Sequence, residues 1–350
     1  MLQAGLVGLP NVGKSTLFNA LLSREVANVA NYPFCTIEPN VGVVEVPDER
    51  LAQLAKIVKT STLVPAAIEF VDIAGLVEGA HKGEGLGNKF LANIREVDLI
   101  LMVVRDFKDE NVVKSGSTNP VNDVRILVTE LMLADLQTLE KVKEVKANAS
   151  KEEKSRWSAT VKLRTALERG EKADTIELTE DEEKEIKSFG LLTRKPVIVI
   201  RNTDEEKLKK NVHILNYPTI SLSAALEAQM TDMTREEKIE LLNAYGIEHP
   251  VLDTLITQTY ETLGLISFLT AGEKEVRAWP IVTGSVAPRA AGTIHTDFEH
   301  NFIKAKVVDF NDFIANDGWA GSKDAGKMRL EGKEYEMREG DVVEFMVGNT

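Results

Sequence analysis

The chain has 350 residues, a formal net charge of −13, 43% hydrophobic and 28% charged residues. That is an ordinary globular mix, enough for two domains or for one with insertions, and its acidity speaks against a general nucleic-acid binder. A single cysteine, Cys35, excludes an internal disulfide framework and any cysteine-held zinc, and suits a reducing compartment.

The first element is an apolar run, Leu2 to Val7, which reads as a buried strand. Gly8-Leu9-Pro10-Asn11-Val12-Gly13-Lys14-Ser15-Thr16 follows, a complete G-x-x-x-x-G-K-[ST] phosphate-binding loop, and Leu17 to Leu22 then reads as a helix. Strand, loop and helix in that order are what the motif requires. Gly8 and Gly13 let successive N–H groups turn toward phosphate oxygens, and the helix start adds the positive end of its dipole. Lys14 can reach the β- and γ-phosphates, and the Ser15 hydroxyl can bind Mg²⁺. With no helix-length apolar stretch and a strand beginning almost at once, the sequence predicts no signal peptide, no membrane span and a cytoplasmic location.

Further strands are predicted at 41–46, 67–72, 99–104, 196–201 and 218–222, with helical patterns near 49–59 and 87–96. Near-continuous Val/Ile/Leu runs alternating with helices predict a three-layer α/β domain. The rhythm breaks over about 123–188. Val124, Leu127, Val128, Leu131, Leu136, Leu139 and Val142 follow helical spacing, 147–150 reads as a turn, and Thr179-Glu180-Asp181-Glu182 is a capping box. This predicts an inserted helical hairpin. Residues 141–172 hold ten Lys/Arg against five acids, so the tip is expected to carry a basic excess, either a solvated face or an RNA-touching arm. After about residue 263, short strands at 265–269, 276–282, 302–308 and 342–347 predict a second, smaller domain.

Other motifs narrow the nucleotide chemistry. Asp72-Ile73-Ala74-Gly75 ends a hydrophobic strand and has the D-x-x-G pattern of GTPases, in which the Asp approaches Mg²⁺ and the Gly N–H meets the γ-phosphate. Residues 76–87 are glycine-rich, suited to ordering on a triphosphate. Leu76 stands where Ras-like GTPases carry the water-orienting Gln, so slow intrinsic hydrolysis is expected, with His81 a candidate substitute. Thr36 fits a switch threonine that completes the Mg²⁺ shell. The base-reading N-K-x-D is altered to Asn202-Thr203-Asp204-Glu205. A Glu in place of the bidentate Asp weakens guanine readout, while backbone groups can serve adenine. Ser221-Leu222-Ser223-Ala224 resembles the loop that supports the base.

Together with Asn-Tyr-Pro-Phe-Cys-Thr-Ile-Glu-Pro-Asn (31–40), Val-Arg-Ala-Trp (276–279) and Gly-Thr-Ile-His-Thr-Asp-Phe-Glu (292–299), these motifs resemble the YchF subfamily of Obg-like ATPases over nearly the whole chain. The resemblance implies a GTPase-like P-loop domain at 1–264 with a coiled-coil arm at about 123–188, and a ubiquitin-like β-grasp TGS domain at 265–350. It implies an ATPase that prefers ATP to GTP, acts as a nucleotide-dependent switch and associates with ribosomes through the arm and the TGS domain; a monomer is expected. By position, Asn11, Val12, Gly13, Lys14, Ser15 and Thr16 would cradle phosphate, and Asn202, Thr203, Glu205 and Ser223 would meet or support the base. Ser15, Thr36 and Asp72 would hold Mg²⁺, and Lys14, Thr36 and Gly75 would act in hydrolysis. Asn11 also resembles the asparagine that recruits K⁺ in potassium-dependent relatives. The sequence departs from the family in the loop 111–116, where Lys114 replaces an expected His.

Overall fold

Central strands that are apolar along their whole length can only sit between two layers, and this chain has them. Strand β1 (Gln3–Gly8) pairs in parallel with β4 (Ala67–Asp72) and β5 (Leu99–Asp106), β5 with β6 (Val197–Thr203), and β6 with β7 (Thr219–Leu222). The sheet order is β2-β4-β1-β5-β6-β7, with β2 at Val41–Glu45. The Val46 N–H meets the Ala66 carbonyl and the Asp72 N–H meets that of Asn40, so β2 runs antiparallel to β4. All of Leu99–Arg105 is buried, as helices on both faces demand. The computed structural model describes residues 2–23, 40–73, 86–108, 119–146, 148–208, 212–231, 233–247 and 250–348.

Helix α1 (Lys14–Leu22) follows the phosphate-binding loop directly. Helices α2 (Glu49–Val58) and α3 (Leu86–Glu96) fall where the periodicity puts them. Strand β6 runs two residues past the predicted end, so Asn202 and Thr203 close the strand instead of opening the loop. Ser223 then caps α7 (Ala224–Gln229), its Oγ accepting the Leu226 N–H at 3.2 Å. Helices α8 (Arg235–Ala244) and α9 (Val251–Thr262) follow.

The inserted arm is α4 (Pro120–Glu140), α5 (Lys151–Glu168) and α6 (Glu180–Ile186). Asn119 caps α4 with Pro120 in its first turn, and full capping boxes start α5 at Ser150 and α6 at Thr179. Leu139, Ala159, Leu163, Leu167, Ala173, Ile186 and Leu191 form the arm's own core. Each buried leucine there contributes about 1.5–3 kcal/mol, so the arm does not depend on propensity alone. Buried Asp135 of α4 fixes its root, accepting the Leu192 N–H at 2.7 Å, the Thr193 N–H at 2.8 Å and the Thr193 hydroxyl at 2.7 Å. Burial raises the Asp135 pKa, against the pull of those donors.

Part of the basic excess expected at the arm is paired by α6. Lys151 pairs with Asp181 at 2.6 Å, Arg156 with Glu185 at 3.0 Å and Lys162 with Glu182 at 2.8 Å. Carried on to residue 186, the same stretch holds eleven cations and twelve acids. The pairing acids of α6 lie just beyond the stretch that carries the excess. Lys141, Lys143, Lys146 and Lys154 are exposed and form no ion pair among the described residues.

The chain falls into two compact units, one of Met1–Gly42 and Glu69–Leu252, the other of Val43–Ile68 and Asp253–Thr350. The second unit thus takes in a stretch far upstream of residue 265. Its sheet has the order β11-β10-β12-β8-β9-β3, with β3 at Leu63–Val64, β8 at Leu265–Ala271, β9 at Val276–Val282, β10 at Phe302–Asp309, β11 at Arg329–Glu331 and β12 at Asp341–Val347. An antiparallel β8–β9 hairpin, β12 parallel to β8 and β10 antiparallel to β12 give a β-grasp arrangement. Helix α10 (Ala287–Ile294) supplies Ala287, Ala290 and Ala291 to the core with Phe268, Trp279, Phe302 and Val343. Helices α11 (Thr296–His300), α12 (Phe310–Ala315) and α13 (Trp319–Asp324) complete the unit. The upstream stretch is built in: β3 runs parallel to β9, and Arg50 of α2 pairs with Asp48 and, at 2.5 Å, with Glu339.

Candidate nucleotide-binding site

The carboxyl ends of β1, β4, β5 and β6 converge on the phosphate-binding loop, the place where open α/β sheets hold ligands. Gly8 ends β1, and a Cβ there would lie 2.7 Å from the Val103 carbonyl oxygen. Asn11 and Gly13 take positive φ, 62° and 86°, the second without cost only for glycine. Ser15 and Thr16 are exposed at the start of α1, and Val12 and Lys14 are buried. The first turn of α1 therefore presents its free N–H groups and its hydroxyls to the same opening.

Lys14 and Ser15 both face Asp72. The Lys14 Nζ forms an ion pair with Asp72 Oδ1, and the Ser15 hydroxyl lies 3.4 Å from Asp72 Oδ2. A hydroxyl and a carboxylate side by side are hard oxygen donors, and Mg²⁺ binds through one or two such groups with phosphate and water completing its shell. The residues present therefore fit that ion. Thr36 and Gly75 lie outside the described residues, as do Leu76, His81 and Lys114.

The residues expected to meet the base come from three elements. Asn202, at the end of β6, donates from Nδ2 to the Val12 carbonyl at 2.9 Å and accepts the Ala224 N–H at Oδ1, also at 2.9 Å. It ties the phosphate loop to the start of α7, and one N–H and one lone pair of its amide stay outside these two bonds. Gly13 makes this possible in a second way, because a Cβ there would sit 2.2 Å from Asn202 Nδ2. Thr203 is buried, with its hydroxyl 3.4 Å from both the carbonyl and a carboxylate oxygen of Asp106. Glu205 opens a short 3-10 turn, Glu205–Lys207, and its Oε1 accepts the Ser223 hydroxyl at 2.8 Å. The structure thus brings Asn202, Glu205 and Ser223 together with the loop, as their order in the sequence could not show.

Sequence reasoning missed the end of β5. Asp106 holds Arg201 through the guanidinium Nε at 2.7 Å and receives Lys207 at its main-chain oxygen at 2.6 Å. Phe107 follows, its ring 3.9 Å from where a Gly13 Cβ would be and 4.4 Å beneath the Arg105 guanidinium. Such a ring edges the phosphate loop as an apolar wall. The available signal was positional: an acid and an aromatic at the carboxyl end of a central strand.

Similar proteins place this arrangement. A family model described as "50S ribosome-binding GTPase" matches residues 3–130, and the YchF-GTPase_C model, described as "Protein of unknown function (DUF933)", matches 265–348. "Ribosome-binding ATPase YchF" of Bacillus subtilis (strain 168) is 46% identical over 361 residues, covering 98% of each chain. The chain belongs to the YchF family. Its counterpart in Escherichia coli O157:H7 is 45% identical over 358 residues, again with 98% of both covered. The solved structure titled "Structure of the Schizosaccharomyces pombe YchF GTPase" superposes with a TM-score of 0.86 at 36% identity, covering 99% of this chain and 97% of that one. The resemblance drawn from the motifs therefore extends over the full length of this YchF member, and so does the P-loop GTPase-like fold. No helix among the described residues is long and apolar enough to cross a membrane.

Proposed function

We propose that this chain binds and hydrolyses ATP in preference to GTP and works as a nucleotide-dependent switch on the ribosome. The observation that carries the hydrolase reading is the convergence of Lys14, Ser15 and Asp72 beneath a complete phosphate loop. The YchF relatives' printed name, ribosome-binding ATPase, supports both nucleotide and partner.

The Lys14 ammonium pairs with Asp72. A triphosphate offers it denser negative charge, so Lys14 would pair with the β- and γ-phosphates and leave the Asp72 carboxylate to a cation. Ser15, Asp72 and Thr36 would hold Mg²⁺, which would supply positive charge to those phosphates. The N–H groups of Asn11 to Thr16 hold the leaving diphosphate, and the Gly75 N–H marks the γ-phosphate. Leu76 cannot orient water, which makes unassisted turnover slow and leaves acceleration to a partner. Asn11 is the candidate for a K⁺ ligand. On the base side, Glu205 replaces the Asp of N-K-x-D and is held by Ser223. One methylene more in that side chain displaces the carboxylate from a guanine donor pair, and backbone groups at Thr203 to Glu205 serve adenine.

The partner side is read as the arm tip and a TGS-type module from 265, in a cytoplasmic monomer. The test is competition of ATP and GTP for the site, with hydrolysis followed with and without ribosomes. Clear ATP preference and ribosome-stimulated turnover are expected. GTP preference overturns the base assignment, and turnover at background under every condition makes the chain a nucleotide sensor instead.

A further inference from the structure

We infer that Lys207 determines purine selectivity, by pinning the base-reading turn and keeping the Asp204 carboxylate away from the base. The inference deepens the ATP reading above and rests on it.

The turn Glu205–Lys207 is a single 3-10 turn, a soft element with poor internal hydrogen bonds. Adenine and guanine have the same size and differ in donors and acceptors at one edge, so telling them apart requires that turn to hold its polar groups in place. Lys207 supplies the hold. Its Nζ donates to the Asp106 carbonyl at 2.6 Å and lies 3.0 Å from Asp204 Oδ2 and 3.6 Å from Asp106 Oδ1. One ammonium with three hydrogens thus joins the turn to the end of β5. Arg201 secures Asp106 from the other side, its side chain almost fully buried.

Asp204 is the second part of the device. Its Oδ2 faces Lys207 and its Oδ1 accepts the Lys108 N–H at 3.2 Å. Both carboxylate oxygens are therefore committed on the side of residues 106–108. Guanine presents a pair of N–H donors that a carboxylate satisfies and adenine does not. Without Lys207, Asp204 keeps one weak tether and becomes a candidate acceptor for that pair. The same loss frees the turn that holds Glu205. Both effects lower discrimination against GTP.

Lys207 is about a third exposed, and a surface ion pair of this kind contributes little to folding. Its effect should appear in selectivity and not in stability. The experiment is displacement of a fluorescent adenosine diphosphate analogue by ATP and by GTP, on the wild type, Lys207→Met, Lys207→Arg and the double variant Lys207→Met/Asp204→Asn, with melting temperature recorded for each. Lys207→Met is expected to lower the ATP:GTP affinity ratio at least fivefold with an unchanged melting temperature. Lys207→Arg restores most of the ratio, and the double variant recovers at least half of the loss. A ratio within twofold of wild type in folded Lys207→Met overturns the inference while leaving the ATP reading intact. A wild type that itself favours GTP overturns the ATP reading and the inference with it. Should Lys207→Met not fold, Lys207→Gln carries the same expectation and the same refutation.

Discussion

Asn202→Ala separates a clamp from a base reader. The side chain is 5% exposed and spends one bond on the Val12 carbonyl and one on the Ala224 N–H, both at 2.9 Å. Val12 and Ala224 are 3% and 2% exposed, so neither orphaned group reaches bulk water. An unsatisfied buried donor or acceptor costs about 1–3 kcal/mol, which makes about 2–6 kcal/mol for the two. A water entering the vacated space repays part, leaving an expected loss of about 2–4 kcal/mol in equilibrium urea denaturation. Val12 belongs to the phosphate cradle, so ATP and GTP should weaken together, with their affinity ratio within about threefold of wild type. Asn202→Asp keeps the acceptor for Ala224 but sets a carboxylate oxygen against the Val12 carbonyl, and should fare no better. A stability change below about 0.5 kcal/mol, or a collapse of the ATP:GTP ratio at full stability, refutes the clamp.

Lys14→Ala is expected to lower affinity for ATP and GTP alike by about a hundredfold or more, measured by calorimetry, since about 3 kcal/mol of charge-assisted phosphate contact goes with it. Unchanged ATP affinity contradicts the phosphate-loop reading. Asp123, in α4, is 1% exposed, and its Oδ1 has no hydrogen-bond partner among the described residues. Burial pushes its pKa up to about 6 from 3.8, against the opposing Arg105 N–H. The folded chain then binds a proton the unfolded chain has lost, so this group's stabilisation is full below about pH 4 and falls away as pH rises through 6, by about 1–3 kcal/mol. Urea denaturation of wild type and Asp123→Asn from pH 4 to 7 should show that slope in their difference, and a flat difference refutes it. For the arm, reversing Lys141, Lys143 and Lys146 to Glu should weaken salt-sensitive ribosome binding without unfolding α5 against α6, as sedimentation with ribosomes and circular dichroism will show. Reversing Lys151 and Arg156 instead breaks pairs with Asp181 and Glu185, so a loss there speaks of the arm's structure. Indifference to the first triple change leaves the exposed lysines as a solvated face.

Most elements were legible because their signals are local. The strand at 67–72 and the capping box at Thr179 follow from a few consecutive residues whose backbone preferences agree. The short strands β3 and β11, of two and three residues, carry no periodicity and appear only because a neighbour offers an edge. The pairing of the arm's charges was hidden for a related reason: cations on α5 and acids on α6 lie 20 to 30 positions apart and meet only once both helices pack on one core.

The order of residues alone settled the phosphate cradle and the family it belongs to, since glycines, lysine and hydroxyls adjacent in the chain impose their own loop geometry. Only the assembled sheet decided what surrounds that cradle. Asn202 reaches a carbonyl 190 positions away, Arg201 meets Asp106 across 95, and Val43–Ile68 joins a unit that otherwise begins at Asp253. Such pairings are fixed by strand order and register, which arise when distant apolar runs are buried together, and no stretch of neighbouring residues encodes them.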